Sequence, residues 1–136
     1  MNKLKWWLRI VGVFYLLLTL MNFYALFLGS AQMFTETLPA PMNAEPLAGQ
    51  AFADAWLIFV FELGVLGVMS LVAARAPLQN QIMVWVIVWA ELFRGVVADA
   101  IWIARGYSTS YLIFIAIHLV IIATGVVFLR QAKAEQ

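Results

Sequence analysis

The sequence contains no cysteine, so disulfide bonds, thiolate metal sites and the CxxC motif of thiol oxidoreductases are excluded. Charge is also scarce, because Lys, Arg, Asp and Glu make up 11% of the 136 residues whereas 65% are hydrophobic. This composition is typical of an integral membrane protein. A chain of this length and composition leaves no room for a soluble catalytic domain.

Four apolar stretches occupy most of the chain. They cover about Leu8–Leu28, Ala53–Ala73, Ile82–Ala104 and Ser110–Leu129. Each is close to the ~20 residues that an α-helix needs to cross a bilayer. We therefore predict an all-α fold with a single transmembrane domain over residues 1–136, an integral membrane four-helix bundle. The first stretch is longer than the apolar run of a cleaved signal peptide, so we expect it to be retained.

Basic residues are absent from the long first connection, Gly29–Phe52. Arg105 is the single basic residue on that side of the predicted bundle. The other ends of the spans carry Lys3, Lys5, Arg9, Arg75, Arg130 and Lys133. Because Lys and Arg concentrate in cytoplasmic loops, this distribution predicts that both termini are cytoplasmic (N-in/C-in) in a bacterial inner membrane.

The third apolar stretch carries three ionisable residues, Glu91, Arg94 and Asp99. An ionisable side chain at this depth is costly unless it is paired or faces water or protein. Glu91 and Arg94 are three residues apart, so they are neighbours on one face of a helix. Asp99 lies nearer the outer boundary of the span, where it can be hydrated or paired with Arg105.

Polar residues of the other three spans fall at similar depths, given a rise of about 1.5 Å per residue. The candidate residues of a ligand-binding site or buried polar network are Tyr15, Thr19, Asn22, Glu62, Glu91, Arg94, Asp99, Trp102 and His118. We predict that Arg94 is the electrostatic centre, paired first with Glu91 and reaching Glu62 across the helix interface. Helical geometry also predicts that Trp102 faces the bundle interior, whereas Trp89 faces lipid or a partner chain.

Several functions remain open from these residues. The network could bind or carry a small molecule, or it could be structural, fixing helix packing in a subunit of a membrane complex. Three acids facing Arg94 suggest that one acid holds a proton, so enzymatic proton transfer is a further alternative, although we do not expect an enzyme. Drug export is disfavoured because the first helix lacks the coupling acid of the four-span exporters.

Metal and cofactor sites have little support. A di-iron bundle would need Glu-x-x-His motifs, whereas this chain has Glu91-x-x-Arg94. The single histidine, His118, cannot supply bis-His haem ligation, so we predict no metal and no cofactor. No basic patch indicates nucleic-acid binding. We expect the lipid bilayer as the environment, a small hydrophobic ligand as a candidate partner, and either a homo-oligomer or a larger membrane complex as open alternatives.

Two aromatic-rich stretches carry a resemblance to a known family. They are Lys5–Gly12, followed by Phe14, Tyr15 and Asn22, and Glu91–Gly95. With them, nearly the whole chain resembles the BphX-like family of small bacterial four-helix membrane proteins, which is grouped with the wider DoxX-like set. The resemblance implies a compact inner-membrane bundle, encoded in some cases near enzymes of aromatic degradation. It implies no catalytic residues. We therefore expect an accessory membrane protein that binds or carries a small hydrophobic or aromatic molecule.

The predicted topology can be tested with reporter fusions. A reporter active only in the cytoplasm should work when fused after Gln136 and fail when inserted within residues 40–48, because the charge distribution places the first connection outside. A reporter active only outside the membrane should give the opposite pattern. External activity of the fusion at Gln136 would contradict the four-span topology.

Overall fold

A computed structural model of the protein describes residues 2–29 and 35–135. Its first two long helices are α1 (Asn2–Phe27) and α2 (Pro46–Ala73), separated by a short 3-10 turn at Met42–Ala44. The last helix, α4, is Tyr111–Ala134. The described residues form no strand, so the predicted all-α fold with four helices is confirmed.

The helix between α2 and α4, which we call α3, consists of three consecutive segments. Gln81–Ala90 is α-helical, Glu91–Val97 is π-helical and Ala98–Ala104 is α-helical again. The residues at both junctions, Ala90 and Ala98, keep right-handed helical dihedrals, so the axis continues through all three. The central segment therefore changes the helical turn without ending the helix.

Helices α1, α2 and α4 are long and apolar enough to cross a membrane, as judged by length and composition. The apolar part of α1 that meets this criterion is Lys3–Phe27. The three segments of α3 follow one another without a break from Gln81 to Ala104, so α3 as a whole is long enough to span a bilayer. Three helices of this length and apolar composition are typical of a membrane protein. The depth at which α3 lies in a bilayer stays a prediction.

Helix α2 begins earlier than its apolar sequence indicates. The first connection was predicted to extend to Phe52, but the helix begins at Pro46. Proline is well suited to the first turn of a helix, because the N–H that it lacks would have no partner there. Of the predicted connection, residues 30–34 lie outside the described part of the chain. Leu38, within the rest of it, is buried.

Close backbone approach joins α1 to α2, the most extensive helix contact in the bundle. A Cβ atom on Gly12 would lie 2.9 Å from the backbone oxygen of Gly67, and one on Gly67 would lie 3.0 Å from that of Gly12. Small residues at helix crossings allow this contact in lipid, where the hydrophobic effect does not drive helices together. Helix α2 has far less contact with α3 than with α1.

Helix α4 packs on α3 and also on α1. The Trp7 ring of α1 lies against Gly125 of α4, where a Cβ would be only 2.5 Å from a ring carbon. The indole N–H of Trp7 donates a hydrogen bond of 3.0 Å to the Thr124 hydroxyl. These contacts fix the end of the bundle that carries both termini.

The glycine contact between α1 and α2 leads to a stability prediction. Gly67→Leu should lower the melting temperature of the detergent-solubilised protein, because overpacking a close contact costs typically ~1–3 kcal/mol. Val68→Leu is the matched control, since Val68 is the next residue and is 52% exposed. Equal melting temperatures for the two variants would contradict the close approach of α1 and α2.

Candidate functional site

The carboxylate of Glu91 is the centre of the buried polar residues. The side chain is 1% exposed and has partners from three helices. Tyr15 of α1 donates its hydroxyl to Oε1, and Nη2 of Arg94 lies 3.5 Å from the same oxygen. Nδ1 of His118, on α4, lies 2.5 Å from Oε2. Hydrogen bonds from several donors make burial of a carboxylate tolerable.

The π-helical segment determines which side chains of α3 share this face. Glu91, Gly95 and Asp99 are all buried. In a regular α-helix, positions eight residues apart differ by about 80° around the axis. The wider turn of Glu91–Val97 reduces that difference, so both acids point towards α4. Short π-helical turns of this kind are frequent at functional sites.

Gly95 provides the space for the imidazole ring. A Cβ atom on this residue would lie 2.4 Å from Cγ of His118, closer than any real contact. Any larger residue would therefore push α4 away from α3 or displace the ring. The spacing of residues along α3 gives no sign that His118 is the group that approaches Gly95.

His118 lies between two carboxylates. Its Nδ1 faces Glu91, and its Nε2 is 3.6 Å from Oδ2 of Asp99. Asp99 is 5% exposed, and its Oδ2 atom has no hydrogen-bond partner among the described residues. The second ring nitrogen of His118 is therefore the charge-compensating group that faces this buried acid.

Arg94 extends from Glu91 towards α2. Its guanidinium carbon is 5.0 Å from the centre of the Phe59 ring and 5.7 Å from that of Tyr15, within the range of a cation–π interaction. Nη1 is 4.0 Å from Oε1 of Glu62, whose side chain is 57% exposed. Nη1 is itself buried and has no hydrogen-bond partner among the described residues.

The structure corrects one prediction about this network. Arg94 pairs with Glu91 and reaches Glu62, but Glu91 rather than Arg94 is the electrostatic centre. Among the described residues, the acids paired with Arg94 belong to α2 and α3, whereas Glu91 also has donors from α1 and α4, Tyr15 and His118. Spacing along one helix reveals the Glu91–Arg94 pair, but it carries no information on donors from other helices.

Nearly the whole chain matches a known protein family. The model of the BphX-like family matches residues 1–134 of the chain. The protein belongs to the BphX-like family. No curated protein and no solved structure matches the chain.

Two predicted site residues of this BphX-like protein, Thr19 and Asn22, lie at the contact between α1 and α2 and not at Glu91. The Thr19 hydroxyl donates to the backbone oxygen of Tyr15 at 2.8 Å, with Val60 O at 3.5 Å. Asn22 donates to the backbone oxygen of Leu18, and its side-chain oxygen accepts a 2.8 Å hydrogen bond from the Trp56 indole. Both residues therefore help to fix α1 against α2, on the side of the bundle away from the termini.

Trp102 belongs to an aromatic cluster at the same end. Its ring centre is 5.9 Å from those of Trp56 and Tyr107 and 5.2 Å from that of Tyr111. Trp102 is half-buried. Trp89, in contrast, is 53% exposed and stacks on Phe93 of its own helix. These orientations are those expected from helical geometry.

Sequence reasoning did not identify Trp56 and Phe59 as site residues. Trp56 stacks on Phe52 at 5.5 Å and lies 4.5 Å from Phe59, so the three form an aromatic row along α2. Their spacing of four and three residues is a signal for one helix face that could have found them. No group of three or more His, Asp or Glu side chains within residues 2–29 and 35–135 is arranged to hold a metal ion.

The central role of Glu91 in the BphX-like protein can be tested by substitution. Glu91→Leu should lower thermal stability in detergent strongly, because breaking a buried pair typically costs ~3–5 kcal/mol. Arginine stays charged in proteins, so the loss cannot be relieved by deprotonation of Arg94. Glu62→Leu should have a much smaller effect, because Glu62 is the exposed partner of Arg94.

A triple variant provides the control for charge. Replacing Arg94, Glu91 and Glu62 with Leu, Met and Leu removes charges of both signs together, so it should be more stable than Glu91→Leu alone. If Glu62→Leu destabilised the protein as much as Glu91→Leu does, Glu91 would not be the centre of the network.

Proposed function

We propose that this member of the BphX-like family is an accessory protein of the bacterial inner membrane, with both termini cytoplasmic. Its role is to bind or carry a small hydrophobic or aromatic molecule that has a hydroxyl group. The binding site is the interface between α2 and α3 around Glu62 and Arg94, which we call the cleft. This pair of helices has limited contact, so a ligand can enter between them from the side.

The observation that carries the proposal is the unsatisfied pair of polar groups in this cleft. Glu62 lies within a long apolar helix, yet its carboxylate is half-exposed. Nη1 of Arg94, 4.0 Å away, is a donor without an acceptor among the described residues. A hydroxyl group can donate to the carboxylate and accept from the guanidinium at the same time. It would thus satisfy both groups with one ligand atom.

The surroundings of this pair favour an apolar, aromatic ligand body. Phe59 lies against the Arg94 guanidinium, and Trp56 and Trp102 continue the aromatic surface towards the loops. Binding sites for small molecules are mostly apolar, with a few polar groups that set orientation. Planar rings can stack on such a surface or meet it edge to face.

A structural role is the second candidate function, and the burial of Glu91 supports it. The carboxylate is fully enclosed by Tyr15, Arg94 and His118, so the centre of the network is filled. In that case the charges only specify how the helices pack in a subunit of a membrane complex, which is one attested use of buried polar groups. The two candidate functions predict different effects of a Glu62 substitution on ligand binding.

Binding of 1-naphthol to the protein in lipid nanodiscs would distinguish them. Naphthalene serves as the matched probe without a hydroxyl, and empty nanodiscs correct for partition into lipid. The wild type should bind 1-naphthol more tightly than naphthalene. Glu62→Gln should weaken 1-naphthol binding by about tenfold or more, because a hydrogen bond to a charged group contributes ~1.5–3 kcal/mol and 1.4 kcal/mol corresponds to a factor of ten.

Asp54→Asn is the matched control, since Asp54 is an exposed acid near the start of the same helix. It should leave 1-naphthol binding unchanged. If Glu62→Gln bound 1-naphthol like the wild type, or if the protein bound no more than empty nanodiscs, the hydroxyl site would be ruled out. The structural role would then be the better account.

A further inference from the structure

We infer that His118 transfers a proton between Asp99 and Glu91, and that the protonation of Glu91 controls the cleft through Arg94. The relay consists of these three side chains, with the imidazole ring of α4 placed between two acids of α3. The first part of the inference rests on geometry alone. The second part rests on the function proposed above, because it concerns the ligand site at Glu62.

Hydrogen-bond chemistry is the reason why this arrangement can carry a proton. A neutral imidazole has one N–H donor and one acceptor nitrogen. Both ring nitrogens of His118 face a carboxyl group, at 2.5 Å for Glu91 and 3.6 Å for Asp99. The acceptor nitrogen is satisfied only if the acid that faces it is protonated. One proton can therefore reside on either acid, and each location requires a different tautomer of the ring.

The transfer conserves protons and charge. In the first state Asp99 is protonated and its O–H faces Nε2, while Nδ1–H donates to the Glu91 carboxylate. The Asp99 proton moves to Nε2, and the proton on Nδ1 moves to Glu91. In the second state Nε2–H donates to the Asp99 carboxylate, and protonated Glu91 faces Nδ1. The net result is one proton moved from Asp99 to Glu91, with the ring neutral before and after.

The groups around the relay explain why Glu91 is its regulated end. Tyr15 of α1 and Arg94 of α3 both direct donors at Glu91, whereas Glu62 of α2 reaches it only through Arg94. Asp99 is three residues before Trp102, whose ring centre lies 5.2 Å from that of Tyr111 at the start of α4. Asp99 is thus at the end near the loops, and Glu91 is deeper in the bundle.

Arg94 connects the relay to the ligand site. Its guanidinium is shared between two acids, with Nη2 3.5 Å from Glu91 and Nη1 4.0 Å from Glu62. When a proton neutralises Glu91, the attraction of Arg94 to that side weakens and its pairing with Glu62 strengthens. A closed Arg94–Glu62 pair competes with a ligand hydroxyl for the same two groups. Ligand binding and protonation of Glu91 should therefore oppose each other.

The single histidine of the chain makes the relay directly observable. Nuclear magnetic resonance of the protein labelled with ¹⁵N-histidine, in nanodiscs, reports on His118 alone. Asp99→Asn should fix the ring as the Nδ1–H tautomer, which donates to Glu91. Glu91→Gln should fix it as the Nε2–H tautomer, which donates to Asp99. The wild-type ring should exchange between the two and give nitrogen shifts intermediate between those of the variants.

Two wild-type results would overturn the relay. One is a ring fixed as the Nδ1–H tautomer over the whole range from mildly acidic to mildly alkaline pH, as in Asp99→Asn. The other is a ring that stays doubly protonated throughout that range, which would make the three residues a fixed ion group. Either result is decisive without reference to any ligand.

The link to the cleft is tested by the pH dependence of 1-naphthol binding, within the range where 1-naphthol stays neutral. Wild-type affinity should fall several-fold as the pH is lowered, and Asp99→Asn, which lacks the carboxylate that stabilises the Nε2–H tautomer beside protonated Glu91, should show a smaller fall. Affinity independent of pH would overturn the coupling but not the relay. An absence of 1-naphthol binding at every pH would contradict the proposed function and the coupling, while the histidine spectra would still decide the relay.

Discussion

A carboxylate buried among apolar helices requires donors from its surroundings, because desolvation of the ionised group is otherwise costly. Glu91 obtains them from Tyr15 of α1, His118 of α4 and Arg94 of α3. Each donor must be at the right height and rotation to reach the two oxygens. One side chain therefore restricts the relative placement of three helices. The remaining helix, α2, is linked to this centre through Arg94, which lies 4.0 Å from Glu62 and against the Phe59 ring.

Length, apolar composition and one-helix spacing were sufficient to predict the all-α fold, the Glu91–Arg94 pair and the opposite orientations of Trp89 and Trp102. Each of these depends on properties of a single helix. The position of Glu91 as the centre could not be predicted, because it depends on which groups of α1 and α4 arrive from outside α3. The early start of α2 at Pro46 was missed for another reason, since the apolar pattern marks the span and not the polar first turns of a helix.

The π-helical turn is the main feature that sequence periodicity could not supply. An angular estimate at 100° per residue treats α3 as uniform, whereas Glu91–Val97 has wider turns. The wider turns bring Asp99 closer to the direction of Glu91 than the ~80° separation that a regular α-helix gives at eight residues. The turn and the missing side chain of Gly95 act together, because one rotates both acids towards α4 and the other admits the imidazole ring between them. Neither feature alone would place a histidine between two carboxyl groups.

The positions of the glycine contacts also bear on the proposed binding site between α2 and α3. Gly12 and Gly67 bring α1 and α2 to backbone contact, and Gly95 and Gly125 admit side chains of α4 and α1. Within residues 2–29 and 35–135, no glycine brings α2 into close contact with α3, the pair across which Arg94 and Glu62 are 4.0 Å apart. In a bilayer helix association relies on close packing and not on the hydrophobic effect, so an interface without close glycine contacts is expected to separate more easily than that of α1 and α2. The same interface carries Nη1 of Arg94, a buried donor without a hydrogen-bond partner among the described residues, so limited helix contact and a need for a polar partner coincide there.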